Sequence, residues 1–197
     1  MSGVKERTLI IIHCDGIQRT FMGRIIERFE SKGFRIVALK FIWPTEDKVK
    51  KHYAEHVNEP FFSTLIADTL SGPVVVMVWE GPNVVKIGRL LIGATDPKDS
   101  HPGTIRGDVS IQDGCKNTIH GSDTVDSANR EISLWFEPNE MVDWQSAYDA
   151  WIVECSTVSK IVKEVCKEIW TVLQPLHLPT PIEERLESKK YGISLTA

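Results

Sequence analysis

The chain has 197 residues, 42% hydrophobic and 25% charged, the composition of a soluble globular domain rather than a disordered or fibrous one. Its 23 Lys and Arg against 27 Asp and Glu leave a net charge of −4, so the basic footprint of nucleic-acid binding is missing and no specific nucleic-acid partner is expected. The longest apolar runs, such as Thr8–Ile12 and Pro73–Trp79, are too short to span a membrane, and the N-terminus has no apolar signal core. Cys14, Cys115, Cys155 and Cys166 show no paired metal-type spacing, and they read as reduced thiols of a cytoplasmic protein.

In chain order, Thr8–Ile12 is β-branched and apolar without polar alternation, the pattern of a strand covered on both faces. Phe21, Ile25, Ile26 and Phe29 recur at helical spacing, which predicts a helix over Phe21–Lys32 stopped by Gly33. Phe34–Trp43 returns to strand composition and ends at Pro44. Helices are then predicted over Thr45–Tyr53 and Phe61–Leu70, a buried strand over Pro73–Trp79, and a helix over Val84–Ile92. Gly103–Ile111 reads as a turn back towards a strand, and Val125–Phe136 as a helix capped by Asp123 or Ser122. This order predicts an α/β (α+β) ferredoxin-like sandwich, a four-stranded antiparallel sheet with helices packed on it. A doubly wound parallel sheet is the rival, but strands are few and no glycine fingerprint follows the first one.

The texture changes after about residue 154, which divides the chain into a domain over 1–154 and a helical extension over 155–197. In the extension Val158, Ile161, Val162, Val165, Ile169 and Val172 repeat at three and four, an amphipathic helix that needs an apolar surface to cover it. A proline-spaced linker follows from Gln174 to Pro181. Thr180-Pro181-Ile182-Glu183 then starts a short helix with a capping box.

The segment Asn117-Thr-Ile-His-Gly-Ser-Asp123 presents His120 just ahead of a helix N-terminus, where anions are favoured. On position alone a turn histidine satisfied by its neighbours is the plainer reading. Two further segments alter the balance: Gly103-Thr-Ile-Arg-Gly-Asp108 holds Arg106 between glycines, and Lys86-Ile-Gly-Arg89 leads on to Thr95. Planar guanidinium forks clamp phosphates, and a nucleophilic histidine beside two of them suggests phosphoryl transfer.

These segments, with Ser71-Gly-Pro-Val-Val, Val78-Trp-Glu-Gly, Asp15-Gly-Ile-Gln-Arg19 and Pro60-Phe-Phe62, resemble the nucleoside diphosphate kinases over about residues 5 to 154. The resemblance implies transfer of the γ-phosphate of a nucleoside triphosphate to a diphosphate through a phosphohistidine on His120. It implies that Glu131 orients that imidazole, that Ser122 supports it, and that Tyr53 lies near the transferred phosphate. Arg89, Thr95 and Arg106 become the phosphate clamp, Asn117 the ribose contact, Phe61 the ring under the base, and His56 a contact to the α-phosphate. Mg²⁺ is implied, held by the phosphates and water, with Asp123 the nearest carboxylate. The partners implied are nucleoside di- and triphosphates and copies of the chain itself, as a tetramer or hexamer built from dimers. Asp96-Pro-Lys-Asp-Ser-His-Pro102 resembles the family's inter-subunit loop.

Three departures stand out. His13-Cys14 replaces the family's lysine and proline, the loop Asp113-Gly-Cys-Lys-Asn117 is one residue longer, and Asp113 stands where an apolar residue covers the base. Loss of one preorganised charged donor commonly costs ~10²–10³ in turnover. If His13 replaces the lysine it must be protonated, which predicts a bell-shaped pH profile, while Lys116 offers another source of charge. Two functions follow: a working kinase weakened at His13, or an impaired nucleotide-binding relative acting as an interaction or regulatory protein.

Overall fold

A computed structural model describes residues 6–110, 117–147, 164–169 and 171. The chain divides into two units, Ser2–Ser146 and Ala147–Ala197. In the second, 164–169 and 171 are helical, with Val165 and Ile169 exposed; the remainder of the expected stripe, the linker and the last short helix lie outside the described residues.

The first unit is built on β1 (Arg7–Ile12), β2 (Arg35–Ile42), β3 (Val74–Glu80) and β4 (Ile119–Gly121). They form one sheet in the order β2-β3-β1-β4, with every pairing antiparallel. This is the ferredoxin-like arrangement that the element order predicts. Successive side chains of a strand point to opposite faces, so each inner strand feeds two cores. Ile10, Ile12, Val75, Met77 and Trp79 pack against Ile25 and Phe29 of α2 (Met22–Ser31) and Val84 and Ile92 of α5 (Val84–Ile92). Leu9, Ile11, Val76 and Val78 pack the other way, onto Ile132 and Trp135 of α7 (Val125–Trp135) and on Phe136. The unbroken apolar runs of β1 and β3 reflect this double cover.

A short helix, α1 (Cys14–Gln18), follows β1, and α3 (Glu46–His52) and α4 (Phe62–Leu70) join β2 to β3. The last two bury Val49, Tyr53, Leu65 and Ile66 as a small core of their own. Thr45 caps α3 by accepting from the Lys48 backbone N–H.

Two expectations are overturned. Gly103–Ser110 does not return to strand, and Ile111 lies outside the described residues; Ile105–Val109 is a helix, α6, whose first turn is capped by the Thr104 hydroxyl accepting from the Gly107 N–H. Gly107 also lies against the His101 carbonyl, where an added Cβ would come within 2.0 Å of the oxygen. The fourth strand is instead the three-residue β4, with His120 at its centre. The cap of α7 is Thr124, not Asp123 or Ser122, because those two side chains are engaged elsewhere. Among the described residues no helix is long and apolar enough to cross a membrane.

Candidate active site

His120 sits at the open end of the sheet, paired with Ile11 of β1. A Cβ on Gly121 behind it would lie 2.4 Å from the Ile92 Cδ1 atom, so any larger residue there would have to push the buried Ile92 side chain aside. The following residue, Ser122, is buried: its hydroxyl accepts from the Leu9 N–H at 3.2 Å and donates to Glu131 Oε2 at 2.7 Å. The same carboxylate oxygen lies 3.0 Å from His120 Nε2. Glu131 is buried on α7 and cannot turn to water, so the His120 Nε2–H donates to it. The other ring nitrogen, Nδ1, has no partner among the described residues. Burial, together with the Arg89 and Arg106 charges and His56, lowers the His120 pKa to about 3 against the opposing pull of Asp123. The imidazole is neutral at physiological pH and carries a lone pair.

His120 lines a cavity of roughly 410 Å³ whose walls also hold His13, Tyr53, His56, Phe61, Arg89, Thr95, Arg106, Asn117, Asp123 and Glu131. The structure therefore brings together every described residue singled out in the sequence, with Ser122 directly behind Glu131. Asp113 and Lys116 lie outside the described residues. A larger, more open groove of about 750 Å³ runs along α5 and shares Arg89 and Asp123, but its histidine, His101, is exposed and pairs with no buried carboxylate.

The two arginines differ. Arg89 spreads its fork over the rim, donating to the Gly121 carbonyl and the Thr95 hydroxyl and pairing with Asp123 at 3.0 Å. Arg106 is buried and donates to the carbonyls of Gly93, Ala94, Asn117 and Ile119. It fastens the backbone on either side of β4 and keeps one N–H for the cavity. Burial and the nearby Arg89 charge lower its pKa to about 10, so it remains a cation. Asn117 Oδ1 is a buried acceptor without a partner. Beside it Thr118 holds a left-handed backbone, φ 70°, unusual for a β-branched residue. Its hydroxyl donates to Asp15 at 2.9 Å and its carbonyl accepts from the His13 N–H, which hold the strained residue in place.

His13 follows β1 and is buried, with its Nε2 3.3 Å from the Tyr53 hydroxyl. Burial first, then the neighbouring His120, lowers its pKa to about 4. Here a buried imidazole next to another imidazole and Arg106 is neutral near pH 7, so a protonated His13 in the lysine's role depends on the charge of bound phosphates.

Sequence reasoning missed His52, which lies edge-to-face on His120 with ring centroids 4.5 Å apart. The signal was available: Val49, His52 and Tyr53 share the i, i+3, i+4 face of α3 that is buried. His52, His120 and Glu131 form a cluster of metal-ligand type. Hydrogen bonds within it and to Trp135 occupy the group, and it reads as a hydrogen-bonded cluster.

The nucleoside diphosphate kinase family model matches residues 6–141. Nucleoside diphosphate kinase A of Rattus norvegicus is 59% identical over 149 residues, 76% of this chain and 97% of that protein. A nucleoside diphosphate kinase of Drosophila melanogaster is 56% identical over 154 residues, 78% of this chain and all of that protein. Among solved structures, a halophilic nucleoside diphosphate kinase from Halobacterium salinarum in complex with CDP superposes with a TM-score of 0.74 at 45% identity, over 76% of this chain and 99% of that one. A Babesia bovis family protein gives 0.72 at 45% identity, over 75% and 99%. Fold and likeness together make this a phosphotransferase enzyme. The chain belongs to the nucleoside diphosphate kinase family.

Proposed function

We propose that the chain passes the γ-phosphoryl group of a nucleoside triphosphate to a nucleoside diphosphate in two transfers through His120. The observation that carries this reading is the division of labour on one ring that lines the cavity: Nε2 is bonded to Glu131, and Nδ1 has no partner among the described residues. The Nδ1 lone pair attacks the γ-phosphorus as the bond to the bridging oxygen breaks, and the diphosphate leaves. The ring, now bonded to phosphorus at Nδ1 and still protonated at Nε2, is a cation that Glu131 stabilises, with Ser122 holding the carboxylate. A second diphosphate then attacks the phosphorus and the N–P bond breaks.

Charge on the moving group is met by Arg89 and the remaining Arg106 N–H, while Thr95 and Tyr53 supply hydroxyls. Phe61 and His56, with ring centroids 5.7 Å apart at the cavity mouth, offer a surface for a base, a contact indifferent to its identity. The unpartnered Asn117 Oδ1 is suited to accept from a ribose hydroxyl. Asp113 stays assigned beside the base on the resemblance alone. Glu55, Asp96 and Asp123 also line the cavity, but among the described residues they do not converge into a carboxylate cluster, and Asp123 is shared with Arg89; this set fits Mg²⁺ bound mainly by the nucleotide's phosphates, with Asp123 reaching it through water. When bound, the ion neutralises phosphate charge.

We read 1–154 as the catalytic domain, 155–197 as a helical extension, and the chain as a cytoplasmic homo-oligomer. Supporting assembly, Leu39 and Phe41 of the edge strand β2 and Trp43 just beyond its end are 50%, 60% and 69% exposed, a row that a second copy would cover.

Incubation with γ-labelled triphosphate tests the reading. An acid-labile, base-stable label is expected on the wild type and none on His120→Ala. Nucleotide binding without any label would support a regulatory relative instead.

A further inference from the structure

The reaction above leaves His52 without a task. This residue ends α3 and is 3% exposed. Its Nδ1 accepts a hydrogen bond from the Trp135 indole N–H at 3.2 Å, and its Nε2 is buried without a partner. An indole nitrogen only donates, so Nδ1 must carry the lone pair and the proton of the neutral ring must sit on Nε2. Burial keeps the ring neutral, well below its ordinary pKa. The groups facing it are His120 from β4, Glu131 and Arg130 from α7, and His13 beyond β1.

A ring nitrogen of His52, a ring nitrogen of His120 and a carboxylate oxygen of Glu131 all lie within 4.8 Å of one another. His52 therefore lies near the Nε2–H that His120 donates to Glu131, without bonding to either. A free lone pair on His52 would compete for that proton and let His120 turn or change tautomer. Neither nitrogen of His52 has one: Nδ1 is spent on Trp135, and Nε2 is protonated.

We infer that Trp135 and His52 form a tautomer lock, in which the indole N–H denies His120 any acceptor but Glu131 and so selects Nδ1 of His120 as the attacking nitrogen. His52 is a positioning residue, and the inference rests on the phosphohistidine reading. It explains why a buried donor is left unpaired next to a nucleophile, a condition that normally costs stability.

The test is long-range ¹⁵N NMR of the histidine rings in the full-length, nucleotide-free protein, alongside steady-state kinetics. In the wild type both His52 and His120 are expected as single Nε2–H tautomers; a His52 in the Nδ1–H form, or averaged, overturns the lock. Trp135→Phe keeps the bulk and removes the donor. It should mix the tautomers of both rings and lower kcat about tenfold or more with KM for nucleotide unchanged, the size typical of an orienting partner. Because Trp135 is a core residue, His52→Asn gives a second route. Its amide oxygen still accepts from the indole and offers no lone pair at Nε2, so His120 should stay a single tautomer. If His52→Asn scrambles His120 as much as Trp135→Phe does, ring packing is responsible and the lock is wrong. Failure to label His120 at all would sink the phosphohistidine reading, whereas normal labelling with unchanged tautomers in Trp135→Phe would sink the lock alone.

Discussion

Burial holds His13 neutral, and a neutral imidazole leaves bound phosphates one positive charge short of what a lysine would supply there. His13→Lys is therefore expected to raise kcat roughly 10- to 100-fold in a γ-phosphate exchange assay; no gain would mean that other groups already neutralise the phosphate. The same burial has a consequence for stability. His13 and His52 resist protonation in the fold but accept protons near pH 6.5 once unfolded, so the unfolded state binds more protons below that value. Stability should be constant well above pH 6.5 and fall as pH drops towards 4, by up to about 1.4 kcal/mol per pH unit for each such histidine, His120 included. Denaturant midpoints measured from pH 7.5 to 4.5 check the sign, and a flat profile would show that the rings are not buried neutral. At this scale the sequence displayed the nucleophile, its orienting carboxylate and both arginines, because their motifs are contiguous or glycine-flanked. It hid His52, whose importance comes from Trp135, 83 positions away, and it hid the charge of His13, which depends on burial.

Between strands β3 and β4 the decisive element is α6. Ile105 and Val109 are β-branched and Gly107 is a poor helix former, and the extended reading followed those residues. Two local features override it: the Thr104 cap, and the need to bury Arg106 so that its guanidinium can tie Gly93, Ala94, Asn117 and Ile119. Thr104→Ala should cost about 1 kcal/mol of stability. It should also loosen Arg106, raising KM for nucleotide; a stability loss with unchanged KM would separate the cap from the site. The strands and long helices were legible because their apolar runs and 3.6-residue stripes have a single interpretation. β4 was not, since three residues are too few to show a period, and its partner Ile10–Ile12 is remote in sequence.

For the whole molecule, the sheet puts its best-buried strands, β1 and β3, in the middle and leaves β2 at the edge. That order was legible only as a fold class, since the strand neighbours are set by non-local pairing. If the edge is an interface between copies, Phe41→Lys should shift sedimentation towards smaller species, and an unchanged mass would place the interface elsewhere. The row Leu39, Phe41 and Trp43 has a thermodynamic corollary as well. A chain that covers these side chains with a second copy draws part of its stability from mass action, since only the folded state binds the partner. Its melting temperature would then belong to a solution at a stated concentration: diluting the wild type should lower Tm steadily, while the Phe41→Lys protein should melt at one temperature at every dilution.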